Sequence, residues 1–184
     1  VGVENYEKII TDPVFRAAIT NTLRYVVGYV PLSIGLGLIV AVLLNSKIRF
    51  RAPLRVAYFL PWVTSSVAIS MVWRWIYNQH YGLLNMILTG LAGVVNKVVE
   101  FATFGNLTEV WQFSNPNWLM EPRWTIINLV IIAVWQSLGY NMIIFLAGLQ
   151  NIPQELYEAA EVDGASPWQS FWKITIPLIS PTTF

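Results

Sequence analysis

The chain has no cysteine and a single histidine, His80, among its 184 residues. Disulfides and cysteine metal sites are thereby excluded, as are metal sites built on paired histidines. No glycine-rich loop ending in Gly-Lys-Ser/Thr occurs, so the chain carries no phosphate cradle of its own. Charge is scarce as well. Asp, Glu, Lys and Arg make up 11% of the residues, against about 25% in soluble domains. The net charge is +1, and no basic cluster with interleaved aromatics is present, so the usual footprint of a nucleic-acid partner is missing. His80, flanked by Gln79 and Tyr81 at the end of an apolar stretch, reads as a solvated interface residue.

What the chain does have is apolar length. It is 55% hydrophobic, with a mean hydropathy of +0.54. Residues 25–44 and 124–149 contain no charged residue, and a bilayer span needs ~20 apolar residues. A further span is expected at 56–77, bent at Pro61, and the start of another at 174–184. Isolated strands cannot satisfy their backbone in lipid, and the runs are too continuous for the alternating pattern of a barrel. The expected fold class is therefore all-α, a polytopic helical membrane protein. The nine Trp, eight Tyr and nine Phe suit a chain with two membrane interfaces to anchor.

Orientation follows from one short loop. Residues 45–55 hold Lys47, Arg49, Arg51 and Arg55 with no acidic residue, which by the positive-inside rule places them in the cytoplasm. The connection 78–123 is then expected outside. Its apolar start, 82–91, is expected as a short interfacial helix, with Trp111, Trp118 and Trp124 as interface anchors. Parity returns residues 150–173 to the cytoplasm.

That last loop carries the strongest pattern in the chain. Pro153 suits a first helical turn, and Glu155 and Glu158 lie near the positive end of the helix dipole. Leu156, Ala159, Ala160 and Asp163 follow i, i+3, i+4, i+7 spacing and share a small, flat face. Gly164 is placed to take the left-handed conformation that ends a helix. Ser166 and Pro167 read as N-cap and first position of the next helix. A short helix, a sharp turn and a second helix make a knob suited to docking. A plain helical hairpin that touches nothing satisfies the same local pattern.

The order Glu158-Ala159-Ala160, Gly164, Ile174, Ile176-Pro177 resembles the EAA loop of binding-protein-dependent ABC importers. Ile176 stands where that family usually has Leu. Tyr157, Asp163, Ala165, Phe171 and Thr175 resemble the carbohydrate-uptake branch, of the maltose and glycerol-phosphate type. Segments at Val3–Tyr6, Asn21–Leu23, Phe59–Pro61, Trp73, Gly82, Asn85, Trp135 and Ala147–Leu149 extend the likeness along nearly the whole chain. Residues 93–117 have no counterpart in it.

The resemblance implies the type I permease fold. It also implies an internal piece of a longer permease, since Val1 is not a start methionine and 174–184 is too short to cross. Leu156, Glu158, Ala159, Ala160, Asp163 and Gly164 would couple the permease to its ATPase. The implied partners are a second permease, two ATPase subunits or domains, an extracytoplasmic sugar-binding protein and the bilayer of a bacterial or archaeal inner membrane. The chain would be no enzyme and hold no cofactor, ATP being bound by its partners. For the solute path the neutral polar residues Ser65, Ser66, Gln136, Tyr140 and Asn141 are the candidates. The alternative for them is bonding to neighbouring helices, which intramembrane polar groups often do. Other solutes, or an ion-coupled carrier or membrane enzyme sharing a helical loop, are the competing functions. The two charge-free stretches argue against ion coupling, which usually needs intramembrane charge.

Overall fold

The computed structural model describes residues 2–46, 49–104 and 114–182, and among these every regular element is helical. Two compact units emerge: residues 1–64 with 133–184, and residues 65–132. Lys47 of the basic loop, Trp111 and part of the unmatched segment 93–117 lie outside the described residues.

In the first unit, α1 (Glu4–Thr11) leads into α2 (Pro13–Asn45). Asp12 starts α2 as an N-cap, its carboxylate accepting from the Val14 N–H at 2.8 Å, with Pro13 in the first turn. The helix begins twelve residues before the apolar run at 25–44, so its polar first turns extend beyond the lipid-length segment. At 33 residues it is ~50 Å long, against a ~30 Å hydrocarbon core. Pro31 sits inside it without ending it.

Helix α6 (Pro122–Gln150) is the second long element. Its later turns pack on α2 along Ser33, Gly37 and Ala41, three small buried residues at four-residue spacing. A Cβ on Gly37 would sit 2.7 Å from the Asn141 Cβ. A Cβ on Gly139 would overlap the Tyr58 carbonyl oxygen and the Phe59 Cα of α3 (Arg51–Val63). Small residues thus let backbones approach, which is how helices associate where lipid removes the hydrophobic drive. Ala41, Leu44, Met142, Phe145, Leu146 and Leu149 fill the contact, and Ile179 joins them.

The stretch expected as one span at 56–77 is two helices, α3 and α4 (Ser66–Ile76). Pro61 removes one backbone donor, but the break falls later, at Thr64 and Ser65, both extended. The Thr64 hydroxyl donates to the Leu60 carbonyl at 2.7 Å. Such local side-chain bonds compete with helix continuation. Arg74 lies in the last turn of α4, where a cation suits the helix dipole.

The second unit centres on Asn85, buried at the start of α5 (Leu83–Ala102). Its Nδ2 donates to the Gln79 carbonyl at 3.0 Å, and its Oδ1 accepts from the Trp118 indole at 2.7 Å. Asn128 Nδ2 donates to the Trp118 carbonyl, 2.6 Å, and Gln79 Nε2 to the Asn115 carbonyl, 3.1 Å. Trp118, expected as an interface anchor, is instead 8% exposed. A buried indole N–H needs an acceptor, and Asn85 supplies it. Trp124 packs edge-on against Trp118 and lies under the Arg123 guanidinium. The short interfacial helix expected at 82–91 is a 20-residue helix, long and apolar enough to cross a membrane by length and composition.

Candidate functional site

Residues 150–173, singled out by sequence, form a helical hairpin. Helix α7 (Gln154–Val162) carries Glu155 in its first turn and ends at Asp163. Gly164 follows at φ +76°. The Gly164 N–H donates to the Glu161 carbonyl at 3.0 Å, and the Ala165 N–H to the Ala160 carbonyl at 2.9 Å. That paired 5→2 and 6→1 arrangement is the Schellman motif. Only glycine enters that left-handed turn without strain.

The chain restarts at once. Ser166 caps α8 (Pro167–Ser170) in a reciprocal box: its hydroxyl accepts from the Gln169 N–H at 3.3 Å, and its own N–H donates to Gln169 Oε1 at 2.8 Å. A π-helical turn, Phe171–Thr175, then leads to α9 (Ile176–Ile179) and a 3₁₀ turn, Ser180–Thr182. Trp168, Phe171 and Trp172 pack on one another, with ring centroids 5.6–5.9 Å apart.

Of the six residues expected to couple, Leu156, Glu158, Ala159, Asp163 and Gly164 are exposed and Ala160 is half-buried. Ala160, Asp163 and Gly164 border a recess of about 420 Å³ with Gln169 and Lys173. The hairpin therefore presents a small-residue helix end beside an open, mixed-polarity recess. On its other side an open cleft of about 560 Å³ is lined both by the hairpin and by Val42, Asn45 and Leu149 at the ends of α2 and α6. Sequence reasoning missed the tie across the hairpin, from the Tyr157 hydroxyl to Thr175 Oγ1 at 2.8 Å. Two hydroxyls 18 residues apart leave no periodic signal.

The five expected solute-path residues divide. Asn141 Nδ2 donates to the Ser33 carbonyl at 3.2 Å, so its amide is used between helices. Tyr140 is exposed but stacks on Trp62, centroids 4.5 Å apart. Gln136 is half-buried within α6, with no side-chain hydrogen bond among the described residues. Ser65 and Ser66 belong to the second unit, at the break before α4, and both are exposed. Missed by sequence reasoning was the Ser33-Gly37-Ala41 stripe, whose four-residue spacing was the available signal. Among the described residues no group of three metal-ligating side chains exists.

Comparison with known proteins gives one consistent result. A probable ABC transporter permease protein of Pyrococcus horikoshii is 36% identical over 183 residues, 100% of this chain and 56% of that protein. A xylose/arabinose import permease protein of Haloferax volcanii is 33% identical over 96% of this chain and 50% of its own length. The chain thus spans about half the length of the relatives it matches. The crystal structure of a bacterial alginate ABC transporter, in complex with an alginate pentasaccharide-bound periplasmic protein, superposes with a TM-score of 0.74. It covers 100% of this chain and 57% of that one at 24% identity, a likeness of fold. Residues 33–184 match the description "binding-protein-dependent transport system inner membrane component", and the chain belongs to that family of membrane permeases.

Proposed function

We propose that this chain is the membrane-spanning permease part of an ATP-driven importer for a sugar or sugar derivative. The observation that carries the reading is the hairpin: an exposed short helix closed by a Schellman turn at Gly164 and restarted by the Ser166 box. That compact element suits transmission of force from a soluble partner. Leu156, Glu158, Ala159, Ala160, Asp163 and Gly164 form its docking surface, and Glu158 offers a carboxylate to basic groups on an ATPase. A relative named for xylose/arabinose import and a structural neighbour named for alginate support a sugar as the solute. The partners are a second permease, a pair of ATPase subunits that bind the ATP, and an extracytoplasmic binding protein.

The basic loop 45–55 lies in the cytoplasm with 150–173, and 78–123 lies outside. Helix α5 then rests at the outer side. Were it to cross, the basic loop and the docking hairpin would fall on opposite faces, if α3 and α4 together make one span. Gln136 and Tyr140 are the residues best placed to meet solute, since Asn141 is engaged by Ser33.

The test is purification of the full-length permease with its partners. ATPase stimulation and uptake are measured across a panel of sugars, each with its binding protein. Sugar-specific stimulation is the expected result, and loss of ATPase co-purification would remove the reading. A cysteine placed at Glu100 reacts only from outside if the topology is right; labelling from the cytoplasm overturns it.

A further inference from the structure

Thr175 uses its hydroxyl unlike most others on these helices. Thr11, Thr20, Thr22, Thr64 and Thr103 each donate back to the carbonyl four residues earlier, at 2.7–2.9 Å. That is the default for a helical Thr in apolar surroundings. Thr175 is buried, 5% exposed, at the end of the π-helical turn. Its bond runs across the hairpin to the Tyr157 hydroxyl instead. A π turn spreads one extra residue over its circuit and resets the helical phase of the residues after it, and such turns cluster at functional sites.

One sequence neighbour and one contact extend the line. Tyr157 precedes Glu158 on the docking helix. Four residues after Thr175, on the same face of the helix, stands Ile179, 3% exposed and packed with Ala41, Leu44, Met142 and Phe145 of the α2–α6 core. Between the hairpin and the ends of α2 and α6 lies the 560 Å³ cleft, lined in part by Tyr157 and Thr175. The hairpin is therefore not packed solidly against those ends. On one side it is tied to them through Ile152 in the short link from α6, and on the other through Thr175 and α9.

We propose that the Tyr157–Thr175 bond is a strut that makes α7 and α9 move as one body, so that displacement of the docking helix reaches the α2–α6 pair through Ile179. Tyr157 is then a positioning residue for coupling. This rests on α7 being the docking helix.

The experiment uses the assembled full-length transporter in proteoliposomes, with spin labels at Val162→Cys and Leu178→Cys, both exposed positions, and ADP–vanadate as the trapping probe. In the otherwise unsubstituted protein the two labels keep one narrow distance with and without vanadate. Tyr157→Phe and Thr175→Val each broaden it on trapping. The double variant is no worse than either single one, and Thr175→Ser restores the narrow distance. With the sugar that stimulates hydrolysis most, uptake per ATP hydrolysed falls roughly two- to tenfold in each variant, the range one neutral hydrogen bond covers. ATP hydrolysis itself stays within about twofold, below the smallest net hydrogen-bond contribution.

Additive losses in the double variant, an unchanged ratio in Tyr157→Phe, or labels that separate in the unsubstituted protein would overturn the strut while docking stands. Failure of the unsubstituted protein to associate with an ATPase, seen before any variant is made, removes the docking reading and the strut with it.

Discussion

Helices α5 and α7 end in the same backbone conformation with different residues. At the end of α7 the left-handed position is Gly164, φ +76°. At the end of α5 it is Phe104, φ +50°, whose N–H bonds the Phe101 carbonyl at 3.4 Å. The sequence has a glycine at 105, one position too late to serve. A side chain in this conformation costs ~1 kcal/mol or more. The α7 hairpin is built from unstrained local motifs, while the unit holding α5 carries strain at its helix end. That unit is held by side-chain bonds of Asn85 to Pro116 and Trp118, more than 30 residues away. One region is specified residue by residue along the chain, the other by contacts between distant residues.

The largest effect should come from breaking the second kind of region at its hub. Asn85→Leu removes the acceptor of the Trp118 indole and strands a buried donor, at a cost of about 2–3 kcal/mol. Hydrogen exchange should rise at 79–85 and 115–128, with the 154–182 hairpin unchanged. Equal protection of 115–128 in both proteins would show that the Asn85 bonds do not hold the unit.

Next in size is the hairpin's own weak point. Gly164→Val forces a β-branched residue to positive φ, at about 2 kcal/mol. The strain is relieved by unwinding the turn, so the α2–α6 bundle should keep its thermal midpoint in detergent. Transport should fall roughly thirtyfold, the kinetic equivalent of that free energy. Wild-type uptake in this variant would remove the docking role. Glu158→Lys tests the same surface electrostatically. Its loss should be smaller and should shrink as salt rises, because exposed charges are screened beyond ~10 Å at 0.1 M.

The contrast between helix ends also predicts a gain. Phe104→Gly relieves the left-handed strain but frees the unfolded chain, leaving roughly 0.5 kcal/mol of net stabilisation. It should appear as slower exchange in the last turn of α5. Faster exchange there would mean that Phe104 packs more usefully than its 96% exposure suggests.

A further comparison separates two residues five apart on α6. Asn141→Ala should cost about 1 kcal/mol by losing its bond to α2. Gln136→Ala should leave stability within about 0.5 kcal/mol, and its effect should appear in the solute concentration dependence of uptake. Equal thermal midpoints for the two variants would erase this division of roles.

The sequence by itself determined what depends on neighbours along the chain. Apolar length declared the long helices α2 and α6, Ser166 declared a start, and Gly164 declared the turn, because caps and left-handed glycines act within a few residues. The pattern Glu158-Ala159-Ala160…Gly164 singled out the 150–173 hairpin for the same reason. Tertiary structure decided the rest. The break at Thr64 and Ser65 lies three residues beyond the proline that suggested it. Trp118 looks like an interface anchor until Asn85 is found beside its indole. Asn141 looks like a solute ligand until Ser33 is found to hold it. Tyr157 and Thr175 meet because a turn and a π-helical phase shift bring two hydroxyls within 2.8 Å. A polar side chain inside an apolar bundle must find a partner, and only the packed structure says whether that partner is a neighbouring helix.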